Sequence, residues 1–377
     1  MKHIYTLLIA QVIFLTACNN AAEKNSAPEK SESANTNLPA RFYKKLKGKI
    51  GDDMHITLDL IKRKDSLDNS QSLTGHYYYD KIGMPLDLYG TINDSGTFEL
   101  KETDGKGETT GIFKGKFISE NEMQGIWSNP KTKKEYPFAL TTVEASNNLF
   151  SFSEYYNETC KTRELNLKST KKDTLNWLDT MCSSVHIWLA TPNLPNKEVT
   201  KKINDLLISC LLSLSGGEKP YGSIQQLLHS IDNYGQGDIL EGEYSTGIVS
   251  NENNILSMSV GGWENSGGAH PNGASFYLNF DTRTGDTLSL LDIVLPETID
   301  ELVYRGKQQF IKENGNIKEM GWFNGEEFFM PRTFSIGKGG LLFQYNSYEA
   351  GSYAMGMPQF FLSFKQIKDI VKPEYLK

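Results

Sequence analysis

Between residues 41 and 145 apolar and polar positions alternate in short runs. Ile56, Leu58 and Leu60 form one set, followed by Leu86, Leu88 and Ile92, Phe98 and Leu100, Phe113 and Phe117, Met123 and Trp127, and Phe138 and Leu140. A period of two places alternate side chains on one face of a strand. Turn-forming segments at 81–83, 93–96, 104–107 and 129–130 separate roughly eight such runs at meander spacing. No helix-period segment interrupts them, so an all-β N-terminal domain is expected, a small antiparallel barrel or sandwich. Gly75, Gly90, Gly115 and Gly125 fall inside runs, where glycine marks a bend or a close backbone approach. Tyr77, Tyr79, Phe98, Phe113 and Trp127 are large enough to fill the interior, which favours a packed core over a ligand cavity.

From 146 to 377 the pattern changes. A strand is expected at 185–190 and an amphipathic helix at 196–212, where Val199, Ile203, Leu206, Leu207 and Cys210 make an apolar stripe. A second helical stretch covers 223–231. Strands follow at 240–250, 254–263 and 274–281, then a helix at 297–313, strands at 332–336, 341–345 and 358–364, and a closing helix from Lys365. Interspersed helices and hairpin-like turns predict an α+β domain with a mostly antiparallel sheet.

The first residues address the chain. Lys2 precedes an apolar run from Ile4 to Leu15, a length suited to a signal-peptide core and too short to span a bilayer as a helix. The run ends in Leu15-Thr16-Ala17-Cys18, which resembles a bacterial lipobox. That resemblance implies a signal peptide at 1–17, removal of which leaves Cys18 as the acylated N-terminus and membrane anchor. Residues 18–40 carry Leu38 as their one large apolar residue and read as a flexible tether, spanning on the order of 25 Å as a coil. Asn19 and Asn20 stand where an inner-membrane retention aspartate would, which points to the outer membrane of a Gram-negative bacterium. The 377 residues are 23% charged with a net charge of −7, so the basic excess needed to neutralise nucleic-acid phosphates is absent.

Of the remaining cysteines, Cys210 lies in an apolar helical stretch and is expected to pack as a small hydrophobe. Cys160 and Cys182, 22 residues apart in polar surroundings, are the pair expected to form a disulfide in an oxidising compartment. No metal site or cofactor is called for. The segment 242–247 resembles a nucleophile elbow but misplaces its first glycine, and no phosphate-binding, dinucleotide, zincin or calcium motif occurs. His55, His76, His186 and His229 lie in separate elements, with no carboxylate or second histidine at ligand spacing. His270 sits in the glycine-rich turn Ser266-Gly267-Gly268-Ala269-His270-Pro271, open either to a recognition or catalytic role or to holding an irregular loop. A second loop at 345–356 carries Tyr345, Tyr348 and Tyr353, residues that offer rigid amphipathic contact area.

The residues Gly267-Gly268-Ala269-His270-Pro271, Leu278-Asn279-Phe280-Asp281, Leu288-Ser289-Leu290-Leu291-Asp292, Gly340-Leu341-Leu342-Phe343-Gln344-Tyr345, Tyr348-Glu349-Ala350 and Tyr353-Ala354 resemble the extracytoplasmic domain of RsiV-type lysozyme-receptor proteins. The same domain precedes the catalytic module of PdaC-type peptidoglycan deacetylases. The resemblance covers about 180–372 and is strongest from 260 onward. It implies an envelope-binding protein that recognises a lysozyme-like muramidase or peptidoglycan without catalysis, with Gly268, His270, Pro271, Tyr345, Tyr348 and Tyr353 at the contact surface. An anti-sigma role is not expected, because only three residues precede the apolar run; a deacetylase module is likewise missing from the sequence. Two other readings stand beside it. One is an envelope hydrolase using His270 with Glu349 or Asp281; the other is a structural spacer in a surface assembly.

Overall fold

Strand pairing accounts for most of the architecture. The computed structural model describes residues 38–376 except 106, 144–147, 169–173, 215–219 and 234–239. The expected signal peptide, Cys18 and nearly all of the expected tether lie outside the described residues.

Eight strands form a closed antiparallel barrel in meander order: β1 (Phe42–Ile50), β2 (Met54–Lys64), β3 (Gln71–Tyr79), β4 (Leu86–Ile92), β5 (Thr97–Thr103), β6 (Thr109–Ser119), β7 (Glu122–Ser128) and β8 (Glu135–Thr142). The alternating set points inward, so Leu46, Leu58, Leu60, Phe98, Leu100, Phe113, Phe117 and Leu140 pack into one apolar core. Gly115 pairs directly with Gly125 across β6 and β7. A Cβ on Gly125 would lie 2.1 Å from the Lys114 carbonyl and 2.6 Å from the Gly115 Cα, so the wall can bend this closely only with glycine there. The interior includes one buried carboxylate, Glu102, which accepts from Tyr77 Oη at 2.5 Å, Thr110 Oγ1 at 2.6 Å and Trp127 Nε1 at 3.0 Å. Three donors satisfy a charge that burial would otherwise penalise.

The rest of the chain is α+β, as the pattern predicts. A five-stranded sheet runs in the order β13-β12-β11-β10-β9, built from β9 (Phe150–Lys168), β10 (Thr174–Pro192), β11 (Glu241–Glu252), β12 (Ile255–Asn265) and β13 (Asn272–Asp281). Only β10 and β11 are parallel. A parallel pair needs a crossover, and it contains helices α1 (Lys197–Ser213) and α2 (Ile224–Leu228). Asn196 caps α1, its side chain accepting from the amides of Glu198 and Val199. The apolar stripe of α1 buries Val199, Ile203, Leu207 and Leu211 against the sheet.

After α3 (Leu290–Ile293), α4 (Ile299–Asn314) and α5 (Ile317–Met320), a second antiparallel sheet contains β14 (Thr333–Ile336), β15 (Gly340–Gln344) and β16 (Gln359–Ser363). The expected closing helix is one turn, α6 (Phe364–Ile367). The long β9–β10 hairpin exceeds the expected strand at 185–190 in both directions, and Cys160 faces Cys182 across it in a disulfide.

The barrel and the α+β part share both core and charge. Tyr43 and Ile61 point out of the barrel into the core of the five-stranded sheet, where the rings of Tyr43 and Phe150 lie 4.8 Å apart. Beside them Lys45 Nζ sits 3.4 Å from Asp59 and 3.0 Å from both Glu252 Oε1 and the Asn251 carbonyl. Tyr43 Oη donates to Asp59 at 2.6 Å and Tyr78 Oη to Glu252 at 2.7 Å. Burial pushes the Asp59 carboxyl above the ordinary range, and Lys45 and Tyr43 hold it back.

Lys45→Met should therefore leave two carboxylates without their cation and lower the unfolding free energy by about 3 kcal/mol or more, read from urea denaturation. Replacing both Cys160 and Cys182 by Ala opens a loop of sequence separation 22. In the chain-entropy account that costs about 3 kcal/mol, and reducing agent should then leave the midpoint of the double variant unchanged.

Candidate functional site: an aromatic rim and a junction cleft

The turn at 266–271 and the loop after β15 come together because β13 is an edge strand whose outward amides are taken by side chains. Ser275 N donates to Asn346 Oδ1 at 2.8 Å, and Tyr277 N donates to Thr333 Oγ1 at 2.6 Å. Tyr277 Oη reaches Gln344 Oε1 at 2.9 Å. Deeper in, Ser257 and Asn279 bond the backbone of Phe334 and Ile336, so the two sheets are joined through buried side chains rather than a ladder. Asn346, 8% exposed, is itself fixed by Glu349, whose carboxylate accepts from the Asn346 amide at 2.8 Å.

On this base stand three rings. His270 stacks on Tyr353 with centroids 3.7 Å apart at 15°, and Tyr348 Oη lies 2.8 Å from His270 Nε2. His270 Nδ1 is 2.9 Å from the Pro271 carbonyl. A carbonyl only accepts, so in the neutral ring Nδ1 carries the hydrogen and Nε2 accepts from the tyrosine hydroxyl. Tyr348 is 57% exposed and holds a φ of +69°, a left-handed conformation that a bulky residue adopts only when its surroundings impose it. Gly267, with φ +81°, turns the chain ahead of His270, while Gly268 and Pro271 are exposed beside it.

Tyr345 is not part of this surface. It is fully buried among Phe310, Phe323 and Phe329, and its hydroxyl donates to the Phe329 carbonyl. Leu341, Phe343 and Tyr345 are all buried, so the period of two runs one step past β15 and marked Tyr345 as core. The carboxylates proposed to serve His270 are engaged elsewhere. Asp281 pairs with Arg283 and Glu349 caps Asn346; among the described residues neither is bonded to His270.

A second constellation escaped the sequence pattern. At the junction of the barrel with β9, β10 and β11 lies a cleft of about 240 Å³, lined on the barrel side by Arg63, Asp65, Ser70 and Ser72. Its sheet side includes Glu154, His186, Trp188 and Glu243. Glu154 is a latch: its carboxylate accepts from Arg41, from Ser66 Oγ at 2.7 Å and from His186 Nε2 at 3.0 Å. The guanidinium carbons of Arg41 and Arg63 each sit 5.0 Å from the Trp188 ring centroid. Ligand atoms of Asp65, Glu154 and His186 lie within 4.8 Å of one another, but Arg41, Ser66 and His186 already occupy the Glu154 oxygens.

Three of the histidines thus meet carboxylates, against the expectation of none at ligand spacing, and only the His229 pair is announced by the sequence. His186 reaches Glu154 and His76 faces Asp87 at 3.0 Å through strand pairing, and His229 reaches Asp232 at 2.9 Å one helical turn on. His76 also contacts the Ile248 carbonyl at 3.0 Å, so both its nitrogens face acceptors and its charged form is favoured. Burial opposes that charge, but Asp87, the Ile248 carbonyl and the more distant Asp59 prevail and raise the His76 pKa. For Glu154 burial again opposes ionisation, and Ser66, His186 and Arg41 outweigh it and hold the carboxyl below its ordinary range.

Residues 292–365 match the family described as Protein of unknown function (DUF3298). The match contains Tyr345, Tyr348 and Tyr353 and stops short of the His270 turn on its N-terminal side. No curated protein matches the chain. Among solved structures, a member of the DUF3298 family from Bacteroides fragilis NCTC 9343 is 18% identical, with 60% of this chain and 96% of that one covered and a TM-score of 0.44. A DUF3298 family protein from Pseudomonas aeruginosa PAO1 is 15% identical, with 59% and 96% covered and a TM-score of 0.43. Among the described residues no helix is long and apolar enough to cross a membrane.

The two junction pairs titrate in opposite directions. The Glu154 contribution is complete above its ordinary value near 4.5 and is lost as pH falls through the lowered folded value. The His76 contribution is complete below 6.5 and is lost as pH rises through the raised folded value. Urea midpoints measured against pH should fall on both sides, with Glu154→Gln flattening the acid limb and His76→Gln the alkaline one.

Proposed function

We propose that this chain is a lipid-anchored envelope protein that binds a lysozyme-like muramidase or peptidoglycan through the His270, Tyr348 and Tyr353 rim, without catalysing a reaction. The observation that carries the proposal is Tyr348, exposed yet held at positive φ by its hydrogen bond to a histidine that is itself stacked on Tyr353. Backbone strain of this kind costs about 1–3 kcal/mol and persists where surrounding structure over-determines it. A rigid, pre-ordered tyrosine loses little entropy on binding. Asn346 and Glu349 then serve as positioning residues, and Gly268 and Pro271 shape the rim.

Several sequence features support the same reading. The likeness of the segment from 260 onward to RsiV-type extracytoplasmic domains favours recognition of a muramidase or of the wall. The lipobox-like segment ending at Cys18 favours attachment by lipid, and Asn19 and Asn20 favour the outer membrane. A net charge of −7 suits a basic partner, because opposite charge speeds encounter. A second reading, a spacer held in a surface assembly, draws on the barrel wall, where Ile118 is 40% and Ile126 44% exposed beside Gly115 and Gly125.

Retention of the purified protein on immobilised lysozyme and on purified peptidoglycan separates the two ligands. Tyr348→Ala and Tyr353→Ala should each weaken retention at least tenfold, on the order of 1.4 kcal/mol or more. Tyr304→Ala, which removes another exposed tyrosine on α4, should not. Retention on neither matrix, or retention indifferent to both rim substitutions, would refute the proposal.

A further inference from the structure

The β9–β10 hairpin outruns the sheet it belongs to. β11 pairs with β10 only over Ser184–Trp188, so beyond the Cys160–Cys182 disulfide the two strands continue to Lys168 and Thr174 with no third strand beside them. At the ordinary rise of a strand this overhang is about 26 Å long. Lys161, Thr162, Glu164 and Thr180 on it are exposed, and Leu178, at 73%, is the most exposed large hydrophobic residue among those described. A two-stranded ribbon by itself is marginally stable in water, and the disulfide staples this one at its base.

The overhang is not composed like a ribbon meant for water alone. Leu165 pairs with Trp177 and Leu167 with Leu175, so by the period of two these four positions share one face. Lys168, Lys171 and Lys172 follow at the connection between the strands. Residues 161–180 hold five lysines and arginines against three acids, in a chain whose net charge is −7. Tryptophan and leucine beside a basic cluster suit the boundary between headgroups and acyl chains, and the cations are drawn to anionic lipid.

We infer that the overhang docks on an anionic phospholipid surface, its lysines supplying the charge and its leucines with Trp177 the apolar contact. The place where the chain enters the described structure permits this. Arg41 is bonded to Glu154 on β9, about 46 Å along the strand from Lys168. The segment from Cys18 to Leu38 reaches up to about 66 Å when extended, so a lipid on Cys18 and the end of the ribbon can meet one bilayer. A lipid on a flexible segment sets distance but not orientation; the ribbon supplies orientation. The inference rests on the envelope reading only in placing a bilayer nearby.

Vesicle co-sedimentation of the full chain carrying Cys18→Ala, which removes the acylation site, reads the contact without the anchor. Vesicles of phosphatidylglycerol mixed with phosphatidylcholine should retain the protein, and pure phosphatidylcholine should do so about tenfold more weakly or not at all. Added salt should release it. Lys171→Glu combined with Lys172→Glu should weaken retention about tenfold or more, and Leu178→Ser by a similar factor. Tryptophan emission should move to shorter wavelength on binding, and Trp177→Phe should remove that shift. A free-thiol count of one, Cys210, shows in each variant that the staple has closed. Retention on lysozyme and peptidoglycan, measured on the same preparations, reports on the aromatic rim separately, so the two readings fail independently. Absence of vesicle binding, equal binding to both kinds of vesicle, indifference to the substitutions in a variant with a closed staple, or capture of the overhang by peptidoglycan in place of vesicles would overturn the inference.

Discussion

A buried cation with two carboxylates holds the barrel to the sheet. Lys45 on β1, Asp59 on β2 and Glu252 at the end of β11 leave water together, and none could do so alone without a penalty of several kcal/mol. Tyr43, Tyr78 and the Asn251 carbonyl supply the remaining partners. Because the cluster draws on both parts of the chain, it is complete only when they are docked, and it selects one docking over others. Tyr43 and Ile61 add the apolar part by inserting into the core of the sheet. The described residues accordingly belong to one compact unit.

That docking creates the junction cleft. Once Lys45 and Asp59 are set, the ends of β2 and β3 lie over β9 and β10, and Glu154 closes the far side by accepting from both Arg41 of the barrel segment and His186 of the sheet. The rim arises from a different constraint. The outward amides of β13 must be satisfied, and Asn346 and Thr333 do this with side chains. Their hydrogen bonds bring the loop after β15 to the end of β13, where His270, Tyr348 and Tyr353 meet.

Period-two alternation was a strong signal wherever one face of a strand is buried, which is why β2 and β4 to β8 of the barrel were legible in named residues, while β11 to β13 were legible as ranges. The stripe of α1 was legible for the same reason at helical spacing, although Leu206 of that expected stripe is exposed. The β9–β10 hairpin was not. Along β9 most of the described side chains are half-exposed or exposed on both faces, so no alternation marks it. Tyr345 and Tyr348 look alike in the sequence, yet one continues the buried register of β15 and the other has passed the turn.

The amino-acid sequence by itself determined the order of architecture, a β barrel before an α+β part, and the proximity-free features: apolar periods, turn glycines and which cysteines sat in polar surroundings. Those depend on neighbours within a few positions along the chain. Tertiary structure alone decided which carboxylate meets which histidine, which tyrosine reaches water, and that Arg63, Trp188 and Glu243 share one cleft. Electrostatic and hydrogen-bond partners are chosen by distance in space, and strand register and domain docking set those distances across gaps of tens to hundreds of residues.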